Sequence, residues 1–346
     1  MATERFQTAV PLRGDDPAYP WGSSMANMAE AVLPILDAAG VQTLVEIGAY
    51  RGGLTEALLE WSEPAGALIV AVDPSPEPRL LELADKHPGL RLDEATSFDA
   101  IPRMDLPDAF IIDGDHNYHT VSEELNLIAQ RSADAEMPLL LFHDVCWPNA
   151  RRDSYYAPDR IPDDYRSTIA EGVGIAPGRP GLTKGGLPCM YVQEREGGDR
   201  NGVLTAIEDF LAGRPELELA ILPMFFGLGI CWPKAAPFAE DLRSLTAPMN
   251  RNPVLTRLEW NRVNLLADGY VARSESHDAR TQLAVLTKRD REHEERCRRQ
   301  EALLREVVAS RGIRLLERLT RFRRRGAPGL REQIVDELRP RGSEPT

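Results

Sequence analysis

Short, uniformly apolar runs alternate with stretches of helical periodicity along residues 25–144. The clearest runs are Thr43–Ile47, Ala67–Val72, Ala109–Ile112 and Leu139–Phe142. Apolar residues at helical spacing lie between and before them, for example from Met25 to Ala39, where Gly40 ends the pattern. Apolar strands that alternate with helices indicate a parallel sheet covered on both faces. The sequence therefore predicts an α/β fold with a doubly wound, mostly parallel sheet.

Polar or flexible residues follow each of these runs directly. Gly48 follows the first run, Asp73 the second, Asp113 the third, and the pair His143-Asp144 the fourth. A sheet of this kind binds its ligands outside the carboxyl ends of its strands. We therefore expect these residues to line one rim of the sheet and to face a common cleft.

The composition excludes several other classes of protein. Hydrophobic residues make up 42% and charged residues 27%, as in globular proteins, and no apolar run approaches the roughly 20 residues of a membrane span. The N-terminus has no apolar signal core, and the four cysteines contain no CxxC pair. A net charge of −13 argues against a nucleic-acid partner. We expect a cytoplasmic protein without an integral membrane segment.

The charge is unevenly distributed. Residues 288–325 carry 14 Lys or Arg and 7 Asp or Glu, so this segment has a charge of +7 and the remainder −20. Little Gly or Pro occurs from Ala279 to Arg325, which favours a helix, and a short helix is predicted at Leu330–Leu338. We therefore divide the chain into an α/β domain, residues 1–240, and a basic helical C-terminal extension, residues 241–346.

Two interpretations of this extension remain open. It packs as a solvated helix on its own domain or on a second copy, which would make the protein a homo-oligomer through its C-terminal helices. Alternatively, Arg321–Arg325 docks on an acidic partner or an anionic membrane surface. Asp290–Gln300 has almost no apolar residues, which argues against a continuous coiled coil.

The segment Val45–Gly53 reads as a strand, a glycine turn and the start of a helix. Glycines let the backbone turn tightly and approach a ligand, but such turns also serve dinucleotide and phosphate sites, or no ligand at all. Here the spacing is Glu-x-Gly-x-x-x-Gly, and the next strand ends in Asp73, where an acid can hold a ribose diol. The pattern resembles the first two motifs of class I S-adenosylmethionine-dependent methyltransferases.

That resemblance implies a Rossmann-like fold with a seven-stranded sheet and S-adenosylmethionine as cofactor. Asp73 would bind the ribose hydroxyls, and Thr96-Ser97-Phe98 would lie near the adenine. The cofactor-binding residues implied in this way are Glu46, Gly48, Ala49, Tyr50, Gly52, Asp73, Ser97 and Asp113.

A second group of acids and histidines follows the third and fourth apolar runs. Asp113, Asp115 and His116 follow one run, and His143 and Asp144 follow the other. Carboxylates on one rim are costly if dry and unpaired, and they suit a divalent cation, Mg²⁺, Ca²⁺ or, with a histidine ligand, a transition metal. The alternative is that the acids cap turns and His143 is an ordinary hydrogen-bonding residue.

The pair Asp-Gly-Asp-His-x-Tyr and His-Asp resembles the metal-dependent sugar and natural-product O-methyltransferases and the cephalosporin-hydroxylase-like proteins. By this resemblance Asp113, His143 and Asp144 would bind a divalent metal, with magnesium expected, although His143 stands where some relatives carry a second carboxylate. Histidine is the side chain best suited to act as a general base near neutral pH, so His116 is the candidate base and Asp115 is the competing candidate. The expected reaction is metal-assisted O-methylation of a small hydroxylated acceptor, a sugar or natural product.

Residues 148–188 are rich in Pro, Gly, Arg, Asp and Tyr and are predicted to form an irregular, lid-like insertion over the cleft. The alternative is a surface loop with ordinary aromatic anchors. Candidate substrate contacts in and near it are Tyr118, Trp147, Arg151, Arg152, Tyr155, Tyr156 and Tyr165.

Two other functions remain open on the sequence alone. A nucleotide-cofactor oxidoreductase would bind a nicotinamide cofactor and not S-adenosylmethionine. A non-catalytic binding or assembly module would act through its basic helical tail and would tolerate replacement of the cleft carboxylates.

Overall fold

A seven-stranded sheet forms the centre of the structure, a computed structural model that describes residues 10–15, 21–166, 168–320 and 330–337. The strands, in chain order, are β1 Thr43–Ile47, β2 Leu68–Val72, β3 Leu90–Asp93, β4 Ala109–Ile112, β5 Leu139–Phe142, β6 Ile169–Ile175, β7 Leu187–Gln193, β8 Leu217–Leu222 and β9 Leu228–Pro233. The α-helices are α1 Ala29–Ala38, α2 Gly53–Ala65, α3 Pro78–Lys86, α4 Ser97–Ala100, α5 Tyr118–Arg131, α6 Val203–Ala212, α7 Ala239–Thr246, α8 Pro253–Ala309, α9 Arg311–Thr320 and α10 Leu330–Glu337.

The strand order in this sheet is β3-β2-β1-β4-β5-β9-β8. Strands β1 to β5 pair in parallel, and β9 runs antiparallel to both β5 and β8. The order reverses between β1 and β4, which is where open α/β sheets bind their ligands. The predicted fold, a doubly wound and mostly parallel seven-stranded sheet with a helical C-terminal extension, is confirmed.

Helices cover both faces of this sheet and form two hydrophobic cores. Along β4, Ala109 and Ile111 belong to the core on one face, whereas Phe110 and Ile112 belong to the core on the other. All four side chains are at least 96% buried, because a strand covered on both sides has no solvent face. This double burial explains why strands such as β4 and β5 are uniformly apolar in the sequence.

The insertion is more ordered than the sequence predicts. Within residues 148–188, which were expected to be irregular, β6 pairs antiparallel with β7 in a separate two-stranded sheet. Gly172 and Gly174 interrupt the strand pattern of β6, and only part of this strand is buried. A hairpin of this kind lacks the continuous apolar run that identifies the central strands.

The chain divides into two compact units, Met1–Ala272 and Arg273–Thr346. This division does not test the predicted domain boundary at residue 240, which stays a prediction. In the C-terminal region the predicted helix extends to Thr320 as α8 and α9, and α10 matches the predicted short helix. Arg321–Arg325 lies outside the described residues. No described helix combines the length and apolar character that crossing a membrane requires.

Candidate active site

The turn after β1 is built from residues in the left-handed region. Gly48, Tyr50 and Gly52 have φ angles of 85°, 45° and 73°. A Cβ at Gly48 would lie 2.2 Å from the main-chain oxygen of Asp113, so only glycine lets the β1 turn approach the end of β4 this closely. Ala49 lies between these residues and is buried. The sequence signal of the glycine turn thus corresponds to a real close approach at the switch point of the sheet.

Asp73 ties the β1 turn to the end of β2. Its Oδ2 accepts a hydrogen bond from the Tyr50 main-chain N–H at 2.7 Å, and its Oδ1 accepts one from the Ser75 N–H at 2.8 Å. A carboxylate offers about four lone-pair sites, so two remain for hydroxyl donors. The Asp73 side chain is therefore held in place with capacity left for a diol.

Glu46 is buried inside β1. Its Oε2 accepts a hydrogen bond of 2.6 Å from the Thr55 hydroxyl. Burial, more than the nearby charges of Asp113 and Asp73, raises the pKa of Glu46 to about 7, against the lowering effect of the Thr55 bond. The carboxyl therefore changes charge near neutral pH. Its predicted contact with the cofactor stays a prediction.

Asp113, His143 and Asp144 meet where β4 and β5 end side by side. Each can offer one ligand atom, and these atoms all lie within 4.8 Å of one another. His143 Nδ1 lies 2.9 Å from Asp113 Oδ1 and 3.5 Å from Asp144 Oδ2. Asp144 has φ 59°, a strained conformation for a residue other than glycine, and such strain is common at functional sites. As the sequence predicts, these three residues lie together at one rim of the sheet.

His143 is positioned by a second contact. Its Nε2 donates to the main-chain oxygen of Phe225 at 2.9 Å, which leaves Nδ1 towards the two carboxylates. Burial alone would lower the pKa of His143, but Asp113, Asp144 and the two hydrogen bonds raise it to about 10. Without a metal, His143 is therefore protonated, and its positive charge offsets the negative charges of Asp113 and Asp144. Metal-binding histidines also commonly donate their other N–H to a backbone carbonyl.

His116 joins this cluster from the loop after β4. Its Nδ1 lies 3.1 Å from Asp144 Oδ2, and its Nε2 lies 3.4 Å from the hydroxyl of Tyr156. With the Nδ1 proton directed at Asp144, Nε2 is the basic nitrogen. Asp115, the competing candidate for the base, instead accepts a hydrogen bond of 3.0 Å from the Tyr156 main-chain N–H.

The first residues of the insertion are fastened to the His116 loop. The Ser154 main-chain N–H donates to the His116 carbonyl at 3.0 Å. Buried Asp153 accepts from the Tyr118 N–H at 2.7 Å, from the Gly202 N–H, and from the Tyr155 hydroxyl at 3.0 Å. Sequence reasoning missed Asp153, since nothing local distinguishes it from other acids of this polar segment.

The predicted substrate contacts fall into two groups. Tyr156 is 72% exposed and lies against His116, while Tyr118, Trp147 and Arg151 are partly exposed. Arg152 and Tyr155 are buried, and their role as substrate contacts stays a prediction. The Arg152 guanidinium donates to the main-chain oxygens of residues 180, 193 and 194, and the Tyr155 hydroxyl to Asp153, so both side chains hold the insertion together.

Ser97 begins helix α4, which Thr96 caps by accepting a hydrogen bond from the Asp99 N–H. Sequence reasoning missed Glu124, a fully buried acid of α5 beside Ser97. Burial raises the pKa of Glu124 to about 8, against an interaction with the Ser97 side chain that lowers it. Phe98 contacts the His119 ring edge-on, with centroids 6.1 Å apart.

Residues 45–145, which contain this rim, match a family model described as a methyltransferase domain. The match covers 101 of the 346 residues, so this part of the chain is similar to a methyltransferase domain. No curated protein matches the chain significantly in sequence.

Several solved methyltransferase structures are similar to part of the chain. One is an S-adenosylhomocysteine-bound methyltransferase of Podospora anserina, 19% identical, with a TM-score of 0.37 over 59% of this chain and 78% of the other. Another is the 1,6-didemethyltoxoflavin-N1-methyltransferase of Burkholderia thailandensis, at 14% identity and TM-score 0.35, over 61% and 78%. A methyltransferase of Geobacter sulfurreducens is 11% identical, with TM-score 0.34 over 60% and 78%.

Proposed function

We propose that the methyltransferase domain transfers the methyl group of S-adenosylmethionine to a hydroxyl oxygen of a small acceptor, assisted by a divalent cation. The observation that carries the proposal is the cluster of Asp113, His143 and Asp144 beside His116. Three side chains of the types that bind cations and a candidate proton acceptor lie on one rim, a few ångströms apart. A neutral hydroxyl is a poor nucleophile, and a base and a cation each favour its deprotonated form.

The residues present fit both groups. For the donor, the left-handed β1 turn and the anchored Asp73 provide a close backbone approach and free lone pairs for a diol. For the cation, two carboxylates and an imidazole nitrogen offer ligand atoms within 4.8 Å, and His143 already has its Nε2–H directed at a carbonyl. Two oxygen donors favour Mg²⁺, and the histidine also admits Mn²⁺.

Each residue of the cluster then has a distinct task. The cation, when bound, would orient the acceptor hydroxyl and favour its alkoxide form. His116 Nε2 receives the hydroxyl proton, and Asp144 stabilises the resulting imidazolium through Nδ1. As the oxygen–methyl bond forms, the sulfur–methyl bond of the donor breaks in line, so the reaction depends on positioning. Asp115 holds the Tyr156 segment against His116.

The exposed ring of Tyr156 supports a small, hydroxylated and partly apolar acceptor, such as a sugar or natural product. The ring centroid lies 5.7 Å from that of His116, so an acceptor stacked on Tyr156 would place its hydroxyl close to Nε2. Tyr118, Trp147 and Arg151 are the further candidates that keep exposed surface.

The metal role is tested with Asp144→Ala. Calorimetry first measures S-adenosylmethionine binding with and without Mg²⁺, and methyl transfer to a panel of hydroxylated acceptors follows. We expect a chelator to abolish turnover of the wild type and Mg²⁺ to restore it. Turnover that survives both the substitution and the chelator refutes the metal role, and binding of a nicotinamide cofactor instead of S-adenosylmethionine refutes the function.

His116→Ala tests the base, with exposed His87→Ala as the matched control. Loss of a general base typically costs about 10² to 10⁴ in kcat. We expect that loss for His116→Ala with little change in S-adenosylmethionine affinity, and none for His87→Ala. An unchanged kcat rejects His116 as the base.

A further inference from the structure

Helix α8 continues for a long distance without burying a side chain. Every residue from Ala272 to Val307 is exposed. Isolated helices are marginal in water, and a helix that is exposed on all sides needs either many i,i+4 pairs or a partner. Pairs of this type exist between Arg298 and Glu294 and between Arg305 and Glu301, at 3.3 and 4.0 Å.

The exposed stretch has a heptad repeat, and its a and d positions, called the seam below, change from apolar to polar in the middle. Positions a and d, counted with Leu283 at a, are Ala279, Leu283, Leu286, Asp290, His293, Cys297, Gln300, Leu304 and Val307. Both ends of the seam are apolar, as two-stranded coiled coils require, and the centre is polar. The apolar ends include Leu283 and Leu286, which are 65% and 56% exposed.

The charged residues at heptad positions e and g, which flank the seam, favour pairing with a second copy of the same helix in parallel orientation. In a parallel pair, position g contacts position e of the next heptad of the partner. Arg289 then faces Glu294 of the partner subunit, Arg296 faces Glu301 of the partner subunit, and Glu275 faces Arg280 of the partner subunit. An antiparallel pair would instead bring the g positions together, arginine against arginine.

The polar centre contains a pair of metal ligands. His293 and Cys297 lie one turn apart, with Cys297 Sγ 3.7 Å from His293 Nδ1 and 4.0 Å from Nε2. Two tetrahedral zinc ligands at bond lengths of about 2.3 Å for sulfur and 2.1 Å for nitrogen lie about 3.6 Å apart. One chain offers two ligands only, whereas a parallel pair in register offers two cysteines and two histidines.

We propose that residues 276–307 form a parallel two-stranded coiled coil in which His293 and Cys297 of both copies bind one Zn²⁺. Thiolate and imidazole ligands in a Cys₂His₂ set are the usual environment of structural zinc. Binding takes the proton from both Cys297 thiols, so two protons leave for each metal bound. The proposal does not depend on the proposed reaction and explains why the seam lacks apolar residues where it does.

The test uses the full chain, with light scattering for mass and Co²⁺ as a spectroscopic probe of the metal site. We expect a dimer that binds one Co²⁺ per two chains at this site, with a thiolate-to-cobalt charge-transfer band. The Asp113 cluster has no thiolate and cannot produce this band. Cys297→Ser and His293→Gln should abolish the band, and His277→Gln, on the outer face of the same helix, should keep it.

A charge exchange tests the orientation. Arg289→Glu with Arg296→Glu should shift the dimer towards monomer, and adding Glu294→Arg with Glu301→Arg should restore it. A wild-type monomer at tens of micromolar protein with Co²⁺ present overturns the proposal. So does a band that survives Cys297→Ser, or a Cys297 disulfide-linked dimer that binds no metal at this site.

Discussion

Asp153 should make the free energy of unfolding fall as the pH rises through the weakly acidic range. Burial, against the lowering effect of its hydrogen bonds, raises the pKa of Asp153 from 3.8 to about 6. Between pH 4 and 6 the folded protein therefore holds a proton that the unfolded chain has released, and stability declines with increasing pH. At 1.36 kcal/mol per pKa unit, this decline amounts to about 3 kcal/mol and ends above pH 6.

Asp153→Asn removes the titration while it preserves the contacts. Both main-chain amides, of Tyr118 and Gly202, donate to Oδ1, which asparagine retains, and only Tyr155 bonds to Oδ2. The asparagine amide can donate to the tyrosine oxygen instead. We therefore expect Asp153→Asn to be at least as stable as the wild type at pH 7. Asp153→Ala leaves the buried amides unpaired and should be less stable than Asp153→Asn by about 3–5 kcal/mol at any pH, because neither variant titrates at this position.

Urea unfolding followed by tryptophan fluorescence, from pH 4 to pH 7.5, measures these differences. Other buried acids titrate as well, so the quantity to compare is the difference between variant and wild type at each pH. An Asp153→Asn protein that keeps the wild-type pH slope, or that is as unstable as Asp153→Ala at pH 7, would refute the reasoning.

Three further predictions address neighbouring features. Arg152→Met should lower the free energy of unfolding by about 3–5 kcal/mol, because it removes three hydrogen bonds to main-chain carbonyls inside the insertion. Arg151→Met, at an exposed ion pair, should lower it by less than about 1 kcal/mol, and urea unfolding compares the two variants. Gly48→Ala should abolish S-adenosylmethionine binding, measured by calorimetry. The control Gly40→Ala should keep it, because Gly40 has a similar φ but open space around the added Cβ. Equal binding by the two variants would contradict the importance of the close approach at Gly48. Burial raises the pKa of Glu46 to about 7, so the stability of the wild type should decline as the pH rises from 4.5 to 7. Glu46→Gln should remove this decline. Thermal unfolding at several pH values measures it, and a dependence of stability on pH that is unchanged in the variant argues against this prediction.

The sheet could be predicted because its strands are short, apolar and buried on both faces, as Ala109–Ile112 illustrates. The rim could be predicted because strand ends of a parallel sheet share one edge, which brings Asp113 next to His143 and Asp144. Strand β6 could not be predicted from the sequence, because it belongs to a partly exposed hairpin and contains two glycines.

The residues that sequence reasoning missed, or whose burial it did not indicate, depend on distant contacts. Asp153 joins segments that are 35 and 49 residues away in sequence, and its importance comes from burial that no local pattern reveals. Arg152 looks like a cationic substrate contact in a polar segment, yet it is fully buried among carbonyls of the insertion. Tyr155 is buried in the same way, with its hydroxyl bonded to Asp153. A side chain's exposure is a property of the folded chain and cannot be read from its neighbours in sequence.

The attachment of Ser154 and Tyr156 beside His116 has an evolutionary consequence. Both attachments use main-chain N–H groups on the insertion side, so most replacements of these two side chains leave them intact. New side chains at positions 154 and 156 could therefore be tried without loss of these two main-chain contacts to residues 115 and 116. For the proposed reaction, this arrangement means that the choice of acceptor could change through a few outward-facing side chains, while the main-chain contacts beside His116 stay under separate selection.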